Sequence, residues 1–149
     1  MSDKQTVLIL CTGNSARSQM AEGLLRHDAG DRFDVHSAGT RPTTTVRPEA
    51  IAVMGEIGID ISGHRSKSVD EFVGREVDYV ITVCDHAKEF CPVFPGTTKH
   101  LHWSLSDPAA VPGSDEDRKT AFRNARHEIR DRLKTFVGEH SGFTLRASA

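Results

Sequence analysis

The chain has 149 residues, with 19 Lys and Arg against 21 Asp and Glu for a formal net charge of −2. That balance excludes a protein living on the phosphate backbone of nucleic acid, which needs a strong basic excess, and 37% hydrophobic against 27% charged residues excludes disorder. The longest uninterrupted apolar run is Val7–Leu10, far short of the ~20 residues of a spanning helix, and the start of the chain carries no apolar stretch of the ~7–15 residues a signal peptide needs, so a cytoplasmic protein with no membrane partner is expected. In chain order, Thr6–Leu10 is a β-branched and apolar run that suits a strand buried on both faces. Ser18–Ala29 places Ala21, Leu24, Leu25 and Ala29 at helical spacing, and Gly30 falls where a left-handed C′ residue would stand. Phe33–Ser37 reads as a second strand and Arg41–Val46 as a loop. Pro48 opens a helix through about Ile57, striped by Ala50, Val53, Met54 and Ile57 and ended by Gly58. Ser68-Val69-Asp70-Glu71 matches a capping box for a short helix. Asp78–Val83 is a third strand, His86–Cys91 a short helix stopped by Pro92, and Lys99–Trp103 a fourth strand. Ser114-Asp115-Glu116-Asp117 caps a long last helix whose Phe122, Ala125, Ile129, Leu133 and Phe136 repeat at three and four. The tail Ser141–Ala149 reads as loose.

Strands alternating with helices imply parallel strands joined by right-handed crossovers with helices on both faces. The expected fold is therefore an α/β three-layer sandwich around a four-stranded parallel sheet, one domain over residues 1–149. No repeat, linker or low-complexity tract divides it.

The segment Cys11-Thr12-Gly13-Asn14-Ser15-Ala16-Arg17-Ser18 joins the first strand to the first helix. The N–H groups of Thr12, Gly13, Asn14, Ser15, Ala16 and Arg17 can turn inward around one tetrahedral oxyanion such as phosphate or sulfate. The helix start adds unsatisfied donors and its positive dipole end. Gly13 permits an unusual backbone angle, and Asn14 can brace the loop. Arg17 offers a planar fork matching two anion oxygens. Cys11, at the floor, lies among donors that favour thiolate over thiol, and Ser18 can donate to the same sulfur. The pattern puts a nucleophile directly under a bound anion.

The three cysteines are Cys11, Cys84 and Cys91. An odd count in a reducing compartment makes a poor structural disulfide framework. Cys11, Cys84 and Asp107 each follow a predicted strand, so a parallel sheet brings them to one carboxyl edge, where ligands bind. Asp107 reads either as a turn-starting residue before Pro108 or as a reactive group of that crevice. Were Cys84–Cys91 helical throughout, seven steps of 1.5 Å would separate the pair by ~10 Å, beyond the ~7 Å a disulfide spans. The pair then alternates between a reduced helix and an oxidised loop. Its rivals are two unrelated thiols, or a zinc set of Cys84, His86 and Cys91 whose spacing matches no standard ligand pair. His100 and His102 share a strand face, either as metal ligands or as partly exposed histidines.

C-x5-R-S on a strand, loop and helix resembles the low-molecular-weight protein tyrosine phosphatase fold, and Cys11–Gly23 (CTGNSARSQMAEG) is similar to the thioredoxin-coupled arsenate reductases built on it. Ser37-Ala38-Gly39, Asp60-Ile61-Ser62 with His64, Val83-Cys84-Asp85 through Cys91-Pro92, and His102-Trp103 leading to Asp107-Pro108 extend the resemblance from about Val7 to Val137. The resemblance implies that Cys11 attacks arsenate held by the loop and Arg17 while Asp107 protonates the leaving oxygen. Cys84 then attacks Cys11 and releases arsenite, and Cys91 attacks Cys84. Thioredoxin reduces the resulting disulfide, with no bound cofactor and no metal. Glutaredoxin or mycothiol coupling is the less expected route, and a monomer is expected. Some relatives carry a further cysteine where Ala16 stands here. Relatives binding a potassium ion beside the loop match at Asn14, Glu22 and Ser37 but have an acidic residue where this chain has Lys67, which either pairs with Glu22 or is solvated. The aromatic pair that often follows Asp-Pro in tyrosine phosphatases is replaced by Ala109-Ala110. The alternatives are a protein phosphatase for phosphotyrosine or phosphoarginine using Cys11, Arg17 and Asp107, and a non-enzymatic oxyanion sensor. Neither has a use for Cys84 and Cys91.

Overall fold

A computed structural model describes residues 4–43 and 45–140, so the tail expected to be loose lies outside the described residues. Four strands, β1 (Gln5–Cys11), β2 (Phe33–Gly39), β3 (Tyr79–Thr82) and β4 (Lys99–His102), form one parallel sheet in the order β2-β1-β3-β4. β1 has a partner on each side, and Val7 to Leu10 are fully buried, which is why that run is apolar without alternation. Four helices follow the expected pattern: α1 (Arg17–Ala29), α2 (Pro48–Gly55), α3 (Asp85–Glu89) and α4 (Asp115–His140). α1, α2 and α4 pack together on one face. There Phe136 of α4 sits with its ring centre 5.4 Å from Phe33 and 5.2 Å from Tyr79. On the opposite face His36 meets Phe72 at 5.4 Å.

The long helix starts as expected: Ser114 Oγ accepts from the Asp117 N–H at 3.1 Å and Asp117 Oδ2 accepts from the Ser114 N–H at 3.0 Å. Its apolar stripe contains one buried cation. Arg126 donates to the Val53 carbonyl at 2.5 Å and to Glu56 at 3.0 Å, while Arg123 forks onto the same carboxylate. These guanidiniums, Arg123 first, hold the Glu56 carboxyl down at about 2 and tie α4 to the end of α2.

Four local expectations change. Gly30 caps α1 in the right-handed region (φ −66°), so the left-handed stop does not occur there. α2 ends at Gly55 rather than Ile57, ahead of a positive-φ turn at Gly58 (φ 79°). The Ser68 box yields only a 3-10 turn, Val69–Phe72. Ser68 Oγ accepts from Asp70, and Glu71 is drawn away to the Arg65 fork at 2.8 and 3.0 Å. Finally, α3 covers Asp85–Glu89, with Phe90 as its C-cap and Cys91 beyond it. The residue before a proline is disfavoured in the α region, and Pro92 thus ends the helix before Cys91. A helix running the whole way from Cys84 to Cys91 is not what forms.

Candidate active site

Cys11 is the last residue of β1, paired with Gly39 of β2, and the loop from Thr12 to Ala16 leads straight into α1. Thr40, Arg41, Thr43 and Arg47 run alongside. Their N–H groups take the carbonyls of Cys11 (from Thr40, 3.1 Å), Thr12 (from Arg41, 2.8 Å), Gly13 (from Thr43, 2.9 Å) and Ser15 (from Arg47, 2.8 Å). A trans peptide points its N–H opposite to its carbonyl. Tying those four carbonyls outward therefore turns the N–H groups of Thr12, Gly13, Asn14 and Ala16 inward. Asn14 confirms the direction, since its N–H reaches Cys11 Sγ at 3.2 Å. The concave donor array is thus set by the neighbouring segment.

Asn14 is the one described non-glycine residue with positive φ (52°), a conformation Asn tolerates better than most. Its buried side chain is fully engaged: Nδ2 donates to Ser18 Oγ at 2.8 Å and Ser37 Oγ at 2.9 Å, and Oδ1 accepts from Gln19 at 3.0 Å and the Lys67 N–H at 2.8 Å. Ser18 Oγ lies 2.9 Å from Cys11 Sγ. The sulfur of Cys11, a residue only 3% exposed, therefore sits between a backbone N–H and a hydroxyl.

Below the loop lies a polar layer. Ser37 donates to Glu22, whose carboxylate also meets Arg26 at 2.7 Å and Lys67 Nζ at 3.5 Å. Burial pushes the Glu22 carboxyl up, but the Ser37 hydroxyl and the charges of Lys67, Arg26 and His64 together outweigh it and hold the carboxyl below its usual value. Of the two readings of Lys67, pairing with Glu22 is the one the structure adopts. His64 bonds Gln19 Oε1 at 2.9 Å, and burial, the main cause, keeps its ring below the usual histidine value.

Arg17 opens α1 and donates through one terminal nitrogen to the Leu105 carbonyl at 2.8 Å. The guanidinium is thereby fixed two residues from Asp107 in the loop after β4. Asp107 is exposed, and its Oδ1 accepts from the Ala109 N–H at 3.0 Å as it caps the turn Pro108–Ala110. The turn-starting role and a place at the carboxyl edge coexist.

The three thiols are all free. Cys84 follows β3, is 8% exposed, and rests against the loop with Sγ 3.1 Å from Thr12 Oγ1. It also caps α3, accepting from the Ala87 N–H at 3.4 Å. Cys91 is half-buried, its Sγ 3.5 Å from the Pro92 carbonyl, and burial raises its thiol pKa. The sheet edge so brings Cys11, Arg17, Ser18, Cys84 and Asp107 to one region, with Cys91 past the far end of α3. His86, within α3, bonds Thr40 through Nδ1 at 3.0 Å, and both ring nitrogens of His102 are engaged, by Thr82 at 2.7 Å and Asp85 at 2.9 Å. Among the described residues no cluster of three or more His, Cys, Asp or Glu is placed to hold a metal, and no helix is long and apolar enough to cross a membrane.

Gln19 escaped the sequence reading, although it braces the loop by bonding the Asn14 and Arg65 carbonyls at 3.0 and 2.9 Å. The one signal was its place between Ser18 and Glu22, the other buried polar positions of α1. The Leu105 carbonyl that holds Arg17 left no signal, because a backbone acceptor has no residue type.

Residues 6–141 match the low molecular weight phosphotyrosine protein phosphatase family. The chain is similar to an arsenate reductase from Halalkalibacterium halodurans, 45% identical over 135 residues that make up 91% of this chain and 96% of that protein. It superposes on an arsenate reductase solved in the phosphate binding state with a TM-score of 0.74 at 32% identity, covering 91% of this chain and 98% of that one. It also superposes on a thioredoxin-dependent arsenate reductase of Corynebacterium glutamicum with a TM-score of 0.65 at 32% identity, covering 89% of this chain and 61% of that one.

Proposed function

The chain belongs to the low molecular weight phosphotyrosine protein phosphatase family, and from that membership we propose that it reduces arsenate to arsenite through a relay of Cys11, Cys84 and Cys91 that thioredoxin resets. Arsenate sits in the loop, held by its inward N–H groups and by the free edge of the Arg17 fork. The Cys11 sulfur attacks arsenic, Asp107 protonates the departing oxygen, and water leaves. Cys84 then attacks the Cys11 sulfur. The arsenic–sulfur bond breaks with its electron pair on arsenic, which leaves as arsenite, and a Cys11–Cys84 disulfide remains. Cys91 attacks Cys84, freeing Cys11 and closing Cys84–Cys91, and a thioredoxin dithiol takes up that disulfide. The protein's own thiols supply both electrons, so the reading needs no metal and no organic cofactor. It places the protein in the reducing cytoplasm as a monomer serving arsenic detoxification.

The observation that carries this reading is the Cys84 sulfur 3.1 Å from Thr12 Oγ1, against the residue that follows Cys11. A hydrolytic phosphatase uses water to clear its adduct and has no role for a thiol there. The loop and Asp107 still suit a phosphate ester, so slow phosphatase turnover accompanies the main activity. The test runs arsenate reduction with thioredoxin, thioredoxin reductase and NADPH beside p-nitrophenyl phosphate hydrolysis. Cys11→Ser should lose both activities. Cys91→Ser should release about one arsenite per chain and stop, and its continuous turnover with the thioredoxin system would refute the relay.

A further inference from the structure

The relay requires two incompatible things of the segment after β3. Cys84 must stay against the loop while Cys11 turns over, and must then meet Cys91. The two cysteines flank α3, one capping its start and the other following its C-cap Phe90. The contacts that keep α3 wound therefore decide when the pair can join. The core holds this helix weakly, since Ala87 is its one buried residue.

Two imidazoles contribute further hold. From β4, His102 reaches Thr82 Oγ1 with Nδ1 at 2.7 Å and the Asp85 carboxylate with Nε2 at 2.9 Å. From α3 itself, His86 reaches Thr40 Oγ1 with Nδ1 at 3.0 Å, and its ring lies on Phe90 with centres 4.6 Å apart. β2 and β4 are the two edges of the sheet, Thr40 follows β2, and His102 belongs to β4. The first turn of α3 is thus fastened from both sides of the carboxyl edge. The relay uses neither imidazole. Burial of Cys91, which makes its thiol a poor nucleophile where it stands, fits a segment that must open before the second exchange.

We infer that the His102–Asp85 and His86–Thr40 contacts form a two-point clamp that stabilises the dithiol form, in which α3 is wound between Cys84 and Cys91, making His102 and His86 positioning residues for the second exchange. The inference rests on the relay proposed above. In that exchange the Cys91 thiolate bonds to the Cys84 sulfur, the Cys11–Cys84 bond breaks, and its electron pair stays on Cys11, so no further oxidant enters. Unwinding sacrifices both contacts. Contacts made in the dithiol and lost in the disulfide favour the dithiol, so removing either one shifts the equilibrium toward the disulfide. Asp85 is 83% exposed, and a contact of that kind is worth about a three- to fivefold shift.

The experiment uses the full chain carrying Cys11→Ser, equilibrated in graded mixtures of reduced and oxidised thioredoxin, with the Cys84–Cys91 disulfide counted by alkylation and mass. Asp85→Ala and Thr40→Val should each favour the disulfide about three- to fivefold, a potential about 14–21 mV more negative. Combined, the two should multiply to roughly tenfold or more, about 30 mV. His102→Ala should match Asp85→Ala and add nothing to it. In the dithiol form the amides of Lys88 and Phe90, which bond the Cys84 and His86 carbonyls, should exchange with solvent faster by the same factors. Potentials unchanged in Asp85→Ala and Thr40→Val overturn the clamp, whatever happens to exchange or melting. The relay fails separately: arsenate treatment of the unsubstituted protein would then yield no Cys84–Cys91 disulfide, and the clamp falls with it.

Discussion

The loop that ends β1 and the segment that follows β3 both carry reactive sulfur, and they are built in opposite ways. Around Cys11 the chain is tied at every turn. Its carbonyls are taken by Thr40, Arg41, Thr43 and Arg47, and Asn14 is engaged by Ser18, Ser37, Gln19 and Lys67. Around Cys91 the hold is slight, with its sulfur near one carbonyl, Phe90 58% exposed and Val93 90% exposed. An oxyanion site gains from donors fixed in advance, because none then has to reorganise as charge develops. A thiol that must travel gains from low local stability. The two regions separate these demands, so the carrier can open without disturbing the cradle.

The sharpest way to break this contrast is Asn14→Ala. It removes the hub and leaves Ser18, Ser37 and Gln19 short of a buried partner at a positive-φ position. Stability should fall by about 3 kcal/mol, read as a Tm lower by roughly 6–12 °C, and arsenate turnover should fall ~100-fold through misplacement of Cys11 and the donors. A loss below about 1 kcal/mol would mean that the ties to the loop's backbone carbonyls suffice to shape it.

Glu22→Gln probes the layer under the cradle through pH. The native carboxyl is held below its ordinary 4.5, so its stabilising contribution is present above that value and disappears as pH drops through the lowered one. The variant should be less stable by about 1–2 kcal/mol at pH 7, and the gap should close on acidification below 4.5. Denaturant unfolding of both proteins across that range measures it, and a gap independent of pH would show that the charge on Glu22 is immaterial. At the other extreme, Val93→Ser should change unfolding free energy by less than about 0.5 kcal/mol. A larger loss would show that the carrier is held far more firmly than its exposure implies.

Legibility in the sequence follows the same division. The cradle could be read because Cys11, Asn14, Arg17 and Ser18 fall in one stretch, where residue type and local geometry coincide. The helices could be read from their stripes, as with Phe122, Ile129, Leu133 and Phe136. What escaped is whatever acts through backbone atoms or across long separations. Thr40, Arg41, Thr43 and Arg47 shape the loop chiefly through their N–H groups, and Leu105 holds Arg17 through its carbonyl. Arg126 looks like an interruption of an apolar face until Glu56, seventy positions away, is beside it. The order β2-β1-β3-β4 was likewise not contained in an alternation of strand and helix, since the pattern records which elements form and not which become neighbours. The end of α3 depended on a single proline overruling a helical run.

Gly39 lies opposite Cys11 at the end of β2, and a Cβ there would stand 2.5 Å from the Thr12 carbonyl oxygen and 3.0 Å from the Asn14 nitrogen. The bend over the anion is therefore moulded against a bare stretch of the adjoining strand. An engineer grafting these eight residues onto another parallel sheet would have to strip the facing position of its side chain as well. Transplanting the recognisable peptide alone would carry over the chemistry's letters without the mould that gives them shape.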